Sequence, residues 1–164
     1  MELSRLSPSS LPKIKALSKD VVHRIAAGEV VERPASALKE MIENSLDAGS
    51  RKIRVTIADG GFTQIEVEDD GWGLSREDLV EVAERHATSK ISLIDDLDHI
   101  LTLGFRGEAL SAIASVSRVE IDSRRLGSAD SYKVDIIGGK KRSPEKNSRS
   151  AGTRIRVFDL FFNI

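Results

Sequence analysis

The 164-residue chain has no cysteine. Disulfides and thiolate metal sites are therefore excluded from the start. Histidine is almost as scarce: His23, His86 and His99 stand far apart and lack metal-ligand spacing, so each reads as a surface or packing residue. Aromatics make up only 4 % of the chain, with one tryptophan, Trp72, whose expected role is partly buried packing. Charge of one sign is also missing. Lys and Arg number 25 against 26 Asp and Glu, a formal net charge of −1, so any attraction to nucleic acid or an anionic membrane must be local. No apolar run approaches membrane length, and the first residues lack a signal-peptide core. The phosphate-binding motif Gly-x-x-x-x-Gly-Lys-Ser/Thr does not occur either. A soluble, intracellular domain with no membrane partner is what remains, large enough to bury a core without staples.

What the sequence does have is organised around Pro34–Gly49. Pro34 suits the first turn of a helix and Gly49 its left-handed stop. Leu38, Met41, Ile42, Ser45 and Leu46 recur at helical spacing as one apolar stripe. Glu40, Glu43, Asn44 and Asp47 fall on the other side, with Glu40, Asn44 and Asp47 stacked at i, i+4 and i+7. Alone, such a face reads as solvated acid.

The remaining elements follow from local pattern. Met1–Leu17 is expected to be a loosely ordered arm, followed by one domain over 18–164. Ser18 caps a short helix over Lys19–Ala27, stopped by Gly28. Lys52–Asp59 and Gln64–Glu68 alternate around Gly60-Gly61 as a β-hairpin, with Ile53, Val55 and Ile57 inward. Ser75 and Asp78 form a capping box for a helix to about His86. A short helix is expected around Leu93–Leu101, and a helix of small residues ending near Ser115. Strands are expected at Arg118–Ser123, Ser131–Ile137 and Thr153–Phe158, with Gly138–Ala151 a basic loop. Helices and hairpins in this order predict a two-layer α/β sandwich, a mixed, mostly antiparallel sheet with helices on one face.

Two glycine-rich stretches turn the acidic face into candidate chemistry. At Asp69-Asp70-Gly71-Trp72-Gly73 a carboxylate at a strand end can accept from the exocyclic amine of adenine, while Gly71 and Gly73 let backbone approach the base. The plainer reading is an ordinary strand-ending turn. Gly104-Phe105-Arg106-Gly107 presents backbone N–H groups before a helix N-terminus, a cradle for phosphates with Arg106 as a cation; it also reads as a capping loop. Together they suggest a site in which Asn44 offers an amide oxygen to Mg2+, Glu40 deprotonates the attacking water and Asp69 selects the base.

The chain resembles the GHKL ATPases and, among them, the MutL family of DNA mismatch-repair proteins. The resemblance rests on Ile25–Pro34 (IAAGEVVERP), Lys39–Gly49 (KEMIENSLDAG), Asp69–Gly73, Arg85–Ile91 (RHATSKI), Leu103–Ser117 and Gly152–Asn163. It implies the Bergerat sandwich and an ATP-binding, Mg2+-dependent, slowly hydrolysing domain. Glu40 then resembles the general base, Asn44 the Mg2+ ligand and Asp69 the adenine-binding acid, with Gly71 and Gly73 beside the base. Thr88, Ser89 and Lys90, with Gly104, Arg106 and Gly107, resemble a lid over the phosphates. The matching runs bring Asp47, Ala48, Phe105, Glu108, Ala109 and Leu110 into the nucleotide-contacting set. Thr153 resembles a residue that joins the acid–adenine network through water. Two departures stand out: Asp-Asp-Gly replaces the more usual Asp-Asn-Gly, which leaves Asp70 as a charge facing solvent, and the sequence stops before the subdomain that supplies a lysine to the γ-phosphate.

The resemblance also implies a homo- or heterodimer, mismatch-recognition and other repair proteins as partners, and weak, non-specific DNA contact, for which Lys140, Lys141, Arg142, Lys146 and Arg149 are candidates. The expected location is cytoplasmic and nucleoid-associated in a bacterium, nuclear in a eukaryote. A second reading is a nucleotide-binding switch with negligible hydrolysis.

Overall fold

The computed structural model describes residues 31–83 and 109–164, with 16–18 and position 25. The expected arm, the helices at Lys19–Ala27 and Leu93–Leu101, and the loop residues Thr88, Ser89, Lys90, Gly104, Phe105, Arg106, Gly107 and Glu108 lie outside these residues, or almost wholly so.

Helix α1 spans Pro34–Asp47, with the proline in the first turn. It has no side-chain N-cap; its C-terminus closes through Gly49 in the left-handed region (φ 71°), with Ser50 N–H donating to Ser45 O at 3.3 Å. The hairpin forms as β1 (Ile53–Ala58) and β2 (Gln64–Asp69) around a 3-10 turn at Asp59–Gly61. Helix α2 (Arg76–Glu81) begins with the expected capping box: Asp78 N–H donates to Ser75 Oγ at 3.1 Å and Ser75 N–H to Asp78 Oδ2 at 3.0 Å. It ends well short of His86, because Val82 is extended and Ala83 turns to positive φ. Helix α3 (Ala109–Ser115) is followed by β3 (Arg118–Arg124), β4 (Ser131–Ile137), β5 (Lys140–Lys141), β6 (Glu145–Asn147) and β7 (Gly152–Phe158). The segment expected to be a basic loop therefore holds two short strands. Both pair with β4, whose hydrogen-bonding edge would otherwise be open.

The sheet order is β1-β2-β7-β3-β4-β5, with β6 also on β4. All these pairings are antiparallel. The last strand thus sits between the two hairpins and joins them. Alternation sends Ile65, Val67, Val119, Ile121, Val134, Ile136, Ile155 and Val157 to one face, where they are buried with Ala37 and Met41 of α1, Leu79 of α2 and Ile113 of α3. Burying a side chain such as Met41 completely contributes roughly 1.5–3 kcal/mol. Two expectations about the core shift. Leu46 is 55 % exposed, since the covered side of α1 runs through Pro34, Ala37, Met41 and Ser45; and Val55 and Ile57 share the core face but lie exposed on edge strand β1.

The opposite face carries charge. Cross-strand register lines up Arg54, Glu68, Arg154, Asp122 and Lys133 across five strands with alternating sign. Asp122 is the buried centre: its Oδ2 accepts from Arg154 Nη2 at 2.8 Å and Nε at 3.1 Å, and its Oδ1 accepts from Asn147 Nδ2 at 2.7 Å. That pairing holds the Arg154 guanidinium above its ordinary pKa, chiefly through the hydrogen bond to Asp122. No helix among the described residues is long and apolar enough to cross a membrane.

Candidate nucleotide site

Asp69 ends β2 on the helix-covered face and is only 8 % exposed. A buried carboxylate needs donors, and this one has three. Ser45 Oγ donates to Oδ2 at 2.7 Å; the N–H groups of Gly71 and Thr153 donate to Oδ1 at 2.9 and 3.3 Å. The acid is thereby fixed between the C-terminal half of α1, the glycine turn and the first residues of β7. Oδ2 retains acceptor capacity toward whatever lies beside it.

The turn is built by close backbone approach. A Cβ on Gly71 would lie 2.7 Å from Ala48 O, whose carbonyl accepts from Trp72 N–H at 3.0 Å. Gly73 has φ 71°, and a side chain there would collide with the Arg124 carbonyl. Gly152 is at φ 117° with Asp69 O where its Cβ would be. A larger residue would push the turn off the end of α1 at Gly71, off β3 at Gly73, and β7 off Asp69 at Gly152. Trp72 is 48 % exposed, with its ring resting against Gly49, and its N–H and carbonyl hold the turn through Ala48 O and Leu126 N–H. Asp70 faces solvent as expected, yet it is engaged: its Oδ1 accepts from Arg51 N–H at 2.8 Å and Lys52 N–H at 2.9 Å. Those two bonds, Lys52 first, hold the Asp70 carboxyl below its ordinary pKa.

Of the sequence-derived set, Asp69, Gly71, Thr153 and Ala48 come together directly, and Gly73 closes the same turn. Glu40, Asn44 and Asp47 are partly buried on α1, Asn44 being the neighbour of the Ser45 that touches Asp69. Ala109 and Leu110 open α3, buried and partly buried. Asn44 and its helix neighbours present only oxygen donors of the hard type to a cation. Among the described residues no three His, Cys, Asp or Glu side chains gather as a metal-holding group. That donor set suits Mg2+, which takes few protein ligands and keeps water and phosphate oxygens around it.

Three contributors escaped the sequence reading. Ser45 was assigned to the apolar stripe, although it was the stripe's only polar member. Ser123 is fully buried where β3 alternation, after Val119 and Ile121, calls for another apolar residue. Gly152 falls between the expected basic loop and the expected strand from Thr153, with no role assigned to it. A cleft of about 400 Å³ lined by Lys52, Arg54, Glu68, Asp69, Asp70 and Arg149 lies beside the turn, but Ser45 and Thr153 are not among its walls.

Residues 32–156 match the model of the histidine kinase-, DNA gyrase B- and HSP90-like ATPases. The DNA mismatch repair protein MutL of Trichlorobacter lovleyi is 53 % identical over 152 residues, covering 93 % of this chain and 26 % of that protein. MutL of Thiobacillus denitrificans is 50 % identical over 150 residues, covering 92 % of this chain and 25 % of its own. The chain spans about a quarter of the length of these curated relatives. A crystal structure of the N-terminal domain of a DNA repair protein superposes with TM-score 0.73 at 33 % identity, over 90 % of this chain and 43 % of that one. The Aquifex aeolicus MutL ATPase domain complexed with ADP does so with TM-score 0.62 at 28 % identity, over 82 % and 45 %. The antiparallel sheet with helices on one face is the architecture this sequence pattern called for. The chain belongs to the histidine kinase-, DNA gyrase B- and HSP90-like ATPase family, and its likeness within that family is to MutL proteins.

Proposed function

We propose that the chain is the nucleotide-binding part of a MutL-type DNA mismatch-repair protein, binding Mg-ATP, hydrolysing it slowly and using the cycle to gate dimerisation and repair signalling. The observation that carries this reading is the buried Asp69 carboxylate, locked by Ser45, Gly71 and Thr153 beside a turn that excludes Cβ atoms. Asp69 accepts from the adenine amine, and Gly71 and Gly73 let the base lie against backbone. Asn44 holds Mg2+, which when bound neutralises charge on the phosphate oxygens. Glu40, one turn earlier on α1, orients the attacking water and takes its proton. Asp47, Ala48, Ala109 and Leu110 line the pocket. The proposal extends to Thr88, Ser89, Lys90, Gly104, Phe105, Arg106, Gly107 and Glu108 as a phosphate lid.

Hydrolysis is better supported than a switch that barely turns over, because the similar solved domains are described as ATPase domains and α1 carries both Glu40 and Asn44. The wider protein is proposed to act in the cytoplasm as a dimer with mismatch-recognition partners; its bacterial relatives are named DNA mismatch repair proteins.

Two variants test the reading. Asp69→Asn replaces a charged acceptor, worth roughly 1.5–3 kcal/mol, with an amide, so calorimetry should give ATP binding about ten- to hundredfold weaker. Unchanged affinity removes Asp69 from the base site. Glu40→Ala should still bind ATP and lose about 10²–10⁴-fold in turnover; hydrolysis at the parent rate would return the acidic face to plain solvation.

A further inference from the structure

Ser123 is fully buried on the core face of β3 and touches three groups. Leu74 N–H donates to its Oγ at 2.7 Å, its Oγ donates to Gly152 O at 3.0 Å, and Thr153 Oγ1 lies 2.8 Å away. A serine hydroxyl offers one proton and two acceptor sites. An amide N–H can only give and a carbonyl can only receive, so Leu74 takes one acceptor site and Gly152 takes the proton. One acceptor site is left, and the contact with Thr153 is satisfied only if Thr153 is the donor. The reverse arrangement turns the Ser123 proton to Thr153 and gives up the 3.0 Å bond to the buried Gly152 carbonyl, leaving that oxygen one donor fewer.

We infer that Ser123 is a positioning residue that sets the hydrogen-bond polarity of the base site. With its proton committed to Ser123, Thr153 Oγ1 has only lone pairs to offer. Thr153 lies directly across the ladder from Asp69 and its N–H donates to Asp69 Oδ1, so the two side chains share the helix-covered face of the sheet. Both then present acceptors, and the free side of Asp69 is Oδ2, already fixed by Ser45. Two acceptors read a donor. A 6-amino purine, or a water donating to both, is accepted; a 6-oxo purine sets its own acceptor against them. Ser123 thus acts on base selection without touching the base, and it ties the same decision to the glycine turn through Leu74.

This inference rests on the adenine-nucleotide reading above, and the test separates the two. Affinities of the chain for ATP and for inosine triphosphate are measured by calorimetry in the parent, Ser123→Ala, Ser123→Thr, Thr153→Val and the double variant. The parent should favour ATP. Ser123→Ala frees the Thr153 proton to face the base, so the ATP:ITP preference should narrow about five- to tenfold, the worth of one hydrogen bond. Ser123→Thr keeps the hydroxyl and should restore it. Thr153→Val should narrow the ratio too, and the double variant should go no further than Thr153→Val alone. A purely structural Ser123 would weaken both nucleotides in parallel and leave the ratio untouched, which overturns the inference while leaving ATP binding intact. Should Ser123→Ala fail to fold, a preserved ratio in Thr153→Val overturns it equally. A parent that binds neither nucleotide sinks the nucleotide reading, and this one with it.

Discussion

Asp69 draws its fixed geometry from residues that carry no charge themselves. Ser45 is the clearest of them, a hydroxyl 4 % exposed in a helix face otherwise covered by Pro34, Ala37 and Met41. Its bond to a carboxylate is of the stronger kind, roughly 1.5–3 kcal/mol. Ser45→Ala should lower the unfolding free energy by about that amount in chemical denaturation and weaken ATP binding as Asp69 loosens. A variant with parent stability would show that the 2.7 Å contact contributes nothing. Asp70 gives a different signature. Backbone N–H groups of Lys52 and Arg51 lower its pKa, so ionised Asp70 is favoured in the folded chain over the unfolded one. Its contribution is complete above the ordinary value of 3.8 and is lost as pH falls through the lower folded value. Thermal melts of Asp70→Asn should therefore differ from the parent by a constant amount near neutrality, and the difference should close below about pH 4. A gap that persists at the most acid pH would mean that the amide disturbs the turn itself.

The elements were legible where a local pattern set them and illegible where a distant partner did. Pro34, Gly49, the Ser75–Asp78 box and the alternating strands gave correct positions because each satisfies its own backbone. Helix α2 was drawn too long, since nothing in Val82–Arg85 marks the extended turn at Val82. The short strands β5 and β6 lack any periodicity and exist because β4 offers them an edge. The place of β7 was also missed, although a signal existed. Strands β2 and β3 carry acids on their outer face (Glu66, Glu68; Glu120, Asp122) and β7 carries Arg154 and Arg156. Opposite charges directly across a ladder stabilise it and like charges oppose it, which places the basic strand between the two acidic ones. At the candidate site, Asp69 stood out in the sequence because an acid at a strand end before glycines announces chemistry, and Glu40 and Asn44 were proposed on the same ground; Ser45 and Ser123 act only through neighbours brought from elsewhere in the chain. The ladder itself is testable. Asp122→Ala leaves Arg154 without its bidentate partner. Removing one member of a buried pair costs about 3–5 kcal/mol. The Arg154 side chain remains 34 % exposed, so a loss of about 2 kcal/mol is expected in denaturant titration. Hydrogen exchange at Glu145–Asn147 should quicken with it, because Asn147 is held by the same carboxylate.

Taken whole, the molecule has almost balanced charge and a basic segment over 140–149, so the DNA contact proposed for that segment would depend on what its cations already do. Lys141 Nζ donates to Val80 O at 2.6 Å, Lys146 pairs with Asp130 at 3.6 Å, and Arg149 donates to Asp122 O at 3.0 Å and to Ser150 O at 3.0 Å. Burial lowers the pKa of Arg149, which marks it as drawn into the protein rather than extended into solvent. Lys140 and Arg142 are exposed. If these two are the cations that meet phosphate, counterion release sets the salt dependence at about −0.9 per contact, a slope near −2 in log affinity against log salt. Fluorescence anisotropy on a duplex across a salt series should therefore show weak, sequence-independent binding with that shallow slope, lost in Lys140→Ala/Arg142→Ala. A slope near −5 would mean that Lys141, Lys146 and Arg149 abandon their partners in the chain to reach the backbone. That would make β5 and β6 a phosphate-binding arm instead of a brace on β4. The shallow slope is the expected result, because each of those three cations would have to break a bond in the fold to gain one outside it.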